Sequence, residues 1–359
     1  MSARTLAFLL LCSFTQLLME AQPPLPKRAV QIPRDFTGQP LPAFSGGFLL
    51  AYDFERAIVW SYDRTGKTLI EVPLSLPEVK RIQIWDAAAS LDGTVAVSGS
   101  ATNDGGWTTV PLVFWVSPGG KVARVVRTEP FAATALAFSS DGTLWAAGRA
   151  HEIVDGIYRE PPEYDVLRQY DAQGRLLRTT LPRGAFPAGV RTRATIAGAG
   201  PAASAFLMAN GDRIGFYSEN TNAYFELSPS GGVLGSWRVA APPEGVDILG
   251  AALTSSGSVF LSGQRPQRPG EPTTEWKLFL YVLDKSSGAL REIDFPQQGP
   301  QRATALIGSD GDDLVFYSKP PASLSWFATP TGWAPNSPVG APRAGPVVPP
   351  RSRPGLSPR

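Results

Sequence analysis

A repeat of about fifty residues is the strongest constraint on what this chain can become. Ala87–Gly99, Leu136–Gly148 and Ala251–Gly263 share one plan: a short apolar strand, a tight turn, and an apolar strand ending in Gly. The first two carry Asp92-Gly93 and Asp141-Gly142 at the turn, the third Ser256-Gly257. Asp-Gly between apolar runs marks a hairpin, because Gly accepts the positive φ that the turn requires. Looser copies stand at Asn210-Gly211-Asp212 and Asp310-Gly311-Asp312.

A second hairpin follows each time. Its turns fall at Asp63–Gly66, Ser117–Gly120, Asp171–Gly174, Ser228–Gly232 and Asp284–Gly288, with successive glycines roughly 54–58 residues apart. Two hairpins make a four-stranded antiparallel sheet, and a period of this size is that of a propeller blade. The spacing predicts an all-β chain, a six-bladed β-propeller over residues 22–330. The first hairpins fall near Gly46, Gly93, Gly142, Gly211, Gly257 and Gly311. The last unit has only three strands of its own: Ala303–Ile307, Leu314–Ser318 and Leu324–Thr329. The fourth is expected from Arg28–Pro33, which closes the ring and protects its edges. A β-helix is disfavoured because its rungs are shorter, and seven blades would require hidden strands in Pro182–Ala203. With 36 Gly and 35 Pro, the composition suits short strands and many turns.

The ends read differently. Residues 1–21 read as a secretory signal: Arg4 supplies the positive start, Leu6–Leu18 the apolar core, and Ala21 the last residue before cleavage. The protein is therefore expected to be exported, periplasmic or extracellular, with no membrane span after cleavage. The single cysteine, Cys12, lies within that segment, so the mature chain is expected to lack disulfides, thiolate metal sites and a cysteine nucleophile. Residues 331–359 carry eight prolines, four arginines and no acid, and are expected to form a disordered tail. The net charge of +2 gives no support for nucleic-acid binding.

The repeat also sorts the connections. The a–b and c–d turns are minimal. The long segments are the b–c loops Thr102–Val110, His151–Tyr164 and Pro266–Trp276, and the d–a loops Ser75–Arg81, Arg183–Arg193 and Ala240–Val246. One face is thus plain and the other elaborated, and a site is expected on the second, at the mouth of the central channel. Its candidate lining is Trp85, Asp86, Arg191, Arg193, Asp247 and Arg302, with Glu129 and Thr134. Trp107, His151, Glu152, Tyr158, Arg159 and Trp276 are expected to lean over it. Opposed carboxylates and guanidinium groups with aromatics at a rim suit a carbohydrate, peptide or protein ligand. Asp86 and Asp247 also have a structural reading, as acceptors for backbone N–H groups near the axis.

Several chemistries are disfavoured. His151 is the only histidine, and no Gly-x-Ser-x-Gly elbow accompanies it. A zinc site of two or three histidines is excluded within one chain. A carboxylate site for Ca²⁺ or Mg²⁺, drawn from Asp86, Asp247, Glu152 or Asp155, has no supporting local spacing. Gly66-Lys67-Thr68 lacks the earlier glycine and the following helix of a phosphate loop, and Gly198–Ala203 lacks the βαβ setting of a dinucleotide site. Trp85-Asp86 opens an inner strand and has no Gly-His partner of the WD type.

Ser139–Trp145 followed by Tyr170–Leu176 resembles the NHL-type and related six-bladed propellers, in which an Asp-Gly hairpin precedes a Tyr/Phe-Asp-x-x-Gly-x-Leu hairpin. The resemblance implies an architecture and transfers no activity. Lactonases of similar shape hold a divalent ion with a Glu-Asn-Asp set that has no match here, and quinoprotein sugar dehydrogenases use a histidine whose context His151 lacks. The reading is an exported, monomeric, non-catalytic binding or scaffold module without a cofactor. The alternative is a metal-dependent hydrolase or lactonase using the channel carboxylates.

Overall fold

The computed structural model describes residues 26–36, 40–103, 109–154, 157–187, 201–202, 204–243, 245–264, 278–293, 303–319 and 321–329. The expected leader and the Pro/Arg-rich tail lie outside them. The described chain is all-β and propeller-like, a series of small antiparallel sheets.

Strand β1 is Arg28–Gln31, and β2 (Ala43–Ser45), β3 (Phe48–Asp53), β4 (Ile58–Tyr62) and β5 (Thr68–Pro73) follow. The next sheet is β6 (Arg81–Ala89), β7 (Val95–Thr102), β8 (Thr109–Val116) and β9 (Val122–Arg127). Then come β10 (Phe131–Phe138), β11 (Leu144–Ala150), the short pair β12 (Glu152–Val154) and β13 (Ile157–Arg159), and β14 (Asp165–Tyr170) and β15 (Leu176–Pro182). A fourth group is β16 (Ala205–Asn210), β17 (Arg213–Ser218), β18 (Ala223–Leu227) and β19 (Val233–Arg238). A fifth is β20 (Asp247–Leu253), β21 (Val259–Gln264), β22 (Leu278–Asp284) and β23 (Ala289–Ile293). The last strands are β24 (Ala303–Asp310), β25 (Asp313–Lys319) and β26 (Ser323–Ala328).

Several of the tight turns are built by their own side chains. At Ser139–Thr143 the Ser139 N–H donates to Thr143 O at 3.0 Å, and Asp141 Oδ1 accepts from Thr143 N–H at 3.0 Å and from Ser139 Oγ at 2.6 Å. Gly142 sits at φ +79°, where a side chain would be strained.

The Gly that ends each strong repeat has a different job. Four of the first strands carry a bulge: at Trp85 in β6, Thr134 in β10, Leu249 in β20 and Ile307 in β24. Opposite three of them stand Gly99, Gly148 and Gly263. A Cβ on Gly148 would lie 2.1 Å from Ala132 O, and one on Gly99 2.3 Å from Gln83 O. The bulge pushes a carbonyl into the space that a side chain would need.

β1 pairs antiparallel with β26, Ala29 opposite Ser325, so the segment after the expected leader joins the last three strands. Phe36 then packs on Trp60, Tyr62 and Tyr317, strapping the first sheet to the last. The strands do not fall into six separate four-stranded sheets. Phe44 of β2 bridges in parallel to Gly308 of β24, which merges the first and last groups into one eight-stranded sheet. Gly308 permits this because a Cβ there would stand 2.3 Å from Phe44 O.

The core is divided among the intervals between sheets. Leu50 and Val59 meet Val97 and Phe114; Val113 and Trp115 meet Phe131 and Leu144; Trp145 and Val166 meet Phe216 and Phe225. Tyr217 and Tyr224 meet Val259 and Tyr281; Phe260 and Leu280 meet Phe316 and Phe327; Leu49 and Trp60 meet Val315 and Trp326. Each large side chain so buried stabilises by about 1.5–3 kcal/mol. The first strands of the six groups, β2, β6, β10, β16, β20 and β24, touch in succession, and β24 touches β2.

Candidate functional site

Two places combine space or polarity with an ordered wall. The first is a cavity of about 250 Å³ lined by residues of all six first strands. Its wall is mostly Ala, Gly and Leu. The polar exceptions are tied to the backbone. Ser45 Oγ donates to Ala89 O at 3.1 Å, Ser309 Oγ to Leu253 O at 2.6 Å, and Thr134 Oγ1 to Ala202 O at 3.1 Å. Near the a–b turns the side-chain amide of Asn210 reaches Leu253 O at 2.9 Å and Gly311 O at 3.0 Å, crossing three strands.

Asp86 is the one ionisable side chain in this wall among the described residues. Its Oδ2 accepts from Leu136 N–H at 2.6 Å, bridging β6 to β10. Burial pushes its carboxyl up to about 7, against the opposing pull of hydrogen bonds from Leu136 and Ala87. The residue is half-buried because it borders the cavity.

The expected position of this pair needs correction. β6 begins at Arg81, so Trp85 and Asp86 lie midway along it and not at its start. Trp85 is the bulged residue, and its carbonyl accepts from Tyr52 Oη at 2.9 Å. Asp247 opens β20 opposite Gln264 and does not line the cavity with Asp86. Thr134 does line it, whereas Glu129 precedes β10 in a cis peptide bond with Pro130.

The second place lies beside β12 and β13. The segment His151–Tyr164, expected as a loop, contains this two-stranded ribbon, with Glu152 opposite Arg159 and both exposed. His151 is half-buried at its base, and its N–H donates to Pro130 O at 2.7 Å. Burial and the Arg149 charge hold the imidazole below its ordinary value, against the pull of Glu160, so it is neutral at pH 7. Tyr164 Oη donates to Glu160 Oε1 at 2.6 Å, and Arg183 Nε lies 3.3 Å from the same oxygen. Burial and the Glu160 carboxylate raise the Tyr164 phenol far above its ordinary value, so it stays a hydrogen-bond donor. Arg149, half-buried near the end of β11, has a buried Nε–H that meets no acceptor among the described residues.

Sequence reasoning did not nominate Arg149, Glu160, Tyr164 or Arg183. One signal was available: Arg149 is the lone charge in the apolar strand Leu144–Ala150. Trp107, Arg191, Arg193, Trp276 and Arg302 lie outside the described residues, as does the side chain of Tyr158. Among the described residues, no three His, Cys, Asp or Glu side chains are grouped to hold a metal ion. Nor is any helix there long and apolar enough to cross a membrane.

No protein-family model matches the sequence, and no curated protein matches it. Solved structures do. A member of the duf4221 family from Bacteroides vulgatus is 9% identical, with 85% of this chain and 97% of that one covered at a TM-score of 0.46. A Bacteroides fragilis protein described as exported is 11% identical, with 81% and 83% covered at a TM-score of 0.45. A Bacteroides thetaiotaomicron protein of unknown function is 10% identical, with 80% and 70% covered at 0.44. Likeness at this level carries no argument about a ligand or a reaction.

Proposed function

We propose that the chain is an exported, closed six-bladed β-propeller of NHL-like plan, a non-catalytic binding module. It recognises an acidic carbohydrate, peptide or protein partner on its long-loop face, beside the β12–β13 ribbon. Six apolar clusters between successive groups of strands, and first strands that touch in a cycle, support the closed count. The pairing of β1 with β26 supports closure by the N-terminal segment.

One observation carries the choice of ligand: Arg149. A guanidinium with a buried, unanswered N–H in a β-strand is costly unless an acceptor completes it. Arg183, paired with Glu160, places a second guanidinium near Arg149 and Tyr164. A carboxylate-bearing ligand fits such a surface through charge-assisted hydrogen bonds. The hydrolase reading requires gathered carboxylates, but Asp86 sits in the cavity, Glu152 on the ribbon and Asp247 at the start of β20.

The test is calorimetric titration with oligogalacturonate, a Glu-rich peptide and a neutral dextran oligosaccharide. An acidic probe should bind and the dextran should not, and Arg149→Gln should weaken that binding about tenfold. Binding of neither acidic probe, or an unchanged affinity in the variant, contradicts the proposal.

A further inference from the structure

We propose that the cavity between the six first strands is a binding site for a small organic cation, a compact apolar molecule bearing one ammonium group. This site is separate from the ribbon surface and does not depend on it.

Size comes first. The cavity measures about 250 Å³, and a cavity of about 150 Å³ already holds benzene in an apolar protein interior. A benzylamine-sized ligand therefore fits. The wall comes second. Ala135, Ala205, Ala251, Leu207 and Leu249 present apolar surface that favours an apolar body over water.

The charge comes third, and it is the specific feature. The residue after the bulge is Asp86 in β6, but Ala135 in β10, Gly250 in β20 and Gly308 in β24. The fold is satisfied by a small apolar residue at this position in three strands out of four. The bond to Leu136 N–H needs an acceptor but not a charge. No Lys or Arg among the described residues lines the wall to offset the carboxylate. A carboxylate in this wall with no countercharge beside it is stabilised by a cation that enters next to it.

The experiment titrates the protein at pH 8 with benzylamine and with benzyl alcohol, its neutral counterpart. Benzylamine should bind saturably and about tenfold more tightly than benzyl alcohol, the worth of a charge-assisted hydrogen bond. Asp86→Asn, which keeps the shape and an acceptor, should abolish that preference. Ala251→Leu, which fills the cavity and leaves Asp86 in place, should weaken both ligands. The proposal is overturned if neither ligand binds, if the amine has no advantage over the alcohol, or if Asp86→Asn leaves amine affinity unchanged.

Discussion

Asp86 should make the protein less stable as pH rises toward neutrality, and Asp86→Asn should remove that loss. The folded carboxyl titrates at about 7, against an ordinary 3.8. Between those values the folded chain holds a proton that the unfolded chain has released. Stability attributable to this group is therefore greatest below pH 4, falls as pH rises through the interval, and levels off above about pH 7. The full difference corresponds to ~4 kcal/mol, an upper limit because solvent reaching the cavity lowers it. An asparagine does not titrate and still offers Leu136 N–H an acceptor. The assay is urea unfolding of both proteins at pH 4.5, 6 and 8, extrapolated to water. The variant should gain on the native protein by about 2–3 kcal/mol between pH 4.5 and pH 8. An offset that is the same at every pH would mean a packing effect alone. A native protein more stable than the variant at pH 8 would refute the reasoning outright.

Other expectations follow from the turns and bulges. Gly148→Ala puts a Cβ 2.1 Å from Ala132 O and should cost ~3 kcal/mol in the same unfolding assay; a neutral result would mean the bulge is not where β10 and β11 place it. Asp92 is held below its ordinary value by hydrogen bonds from Ser90 and Thr94, and Asp284 by those from Ser286 and Ser287. Their stabilisation is complete above about pH 4 and lost as pH falls below it. Alanine at either position should cost no more than about 1 kcal/mol at pH 7 and less as pH falls below about 4. Ile32→Ala should cost about 2–4 kcal/mol, since Ile32 is buried between the first and last sheets; no change would place that segment in solvent.

Much of the fold was legible because its signals are local. Asp92-Gly93 and Asp141-Gly142 announce their turns, since the carboxylate and the positive φ act within five residues. The pairing of Arg28–Gln31 with Ser323–Trp326 followed from counting strands, as the last group was one short. The bulges were not legible. They are set by how neighbouring first strands press together, which is why Trp85 and Asp86 were placed at a strand's start when they lie at its middle. The ribbon was legible and missed: Ile153-Val154 and Ile157-Tyr158 flank Asp155-Gly156, the same hairpin signal as elsewhere. The polar surface around Arg149 was not legible as a site. Its members stand at 149, 160, 164 and 183, and only folding brings them together.

The account depends on the N-terminal segment completing the last group of strands. Ala29 and Ser325 stand directly opposite in β1 and β26, within the reach of a disulfide. In a Cys12→Ser background, Ala29→Cys with Ser325→Cys should oxidise to an intramolecular bridge, found by mass spectrometry of the proteolysed protein as one peptide linking residues 29 and 325. Two free thiols, or bridges only between molecules, would mean that β1 does not lie there, and the proposed closed arrangement would fail with it.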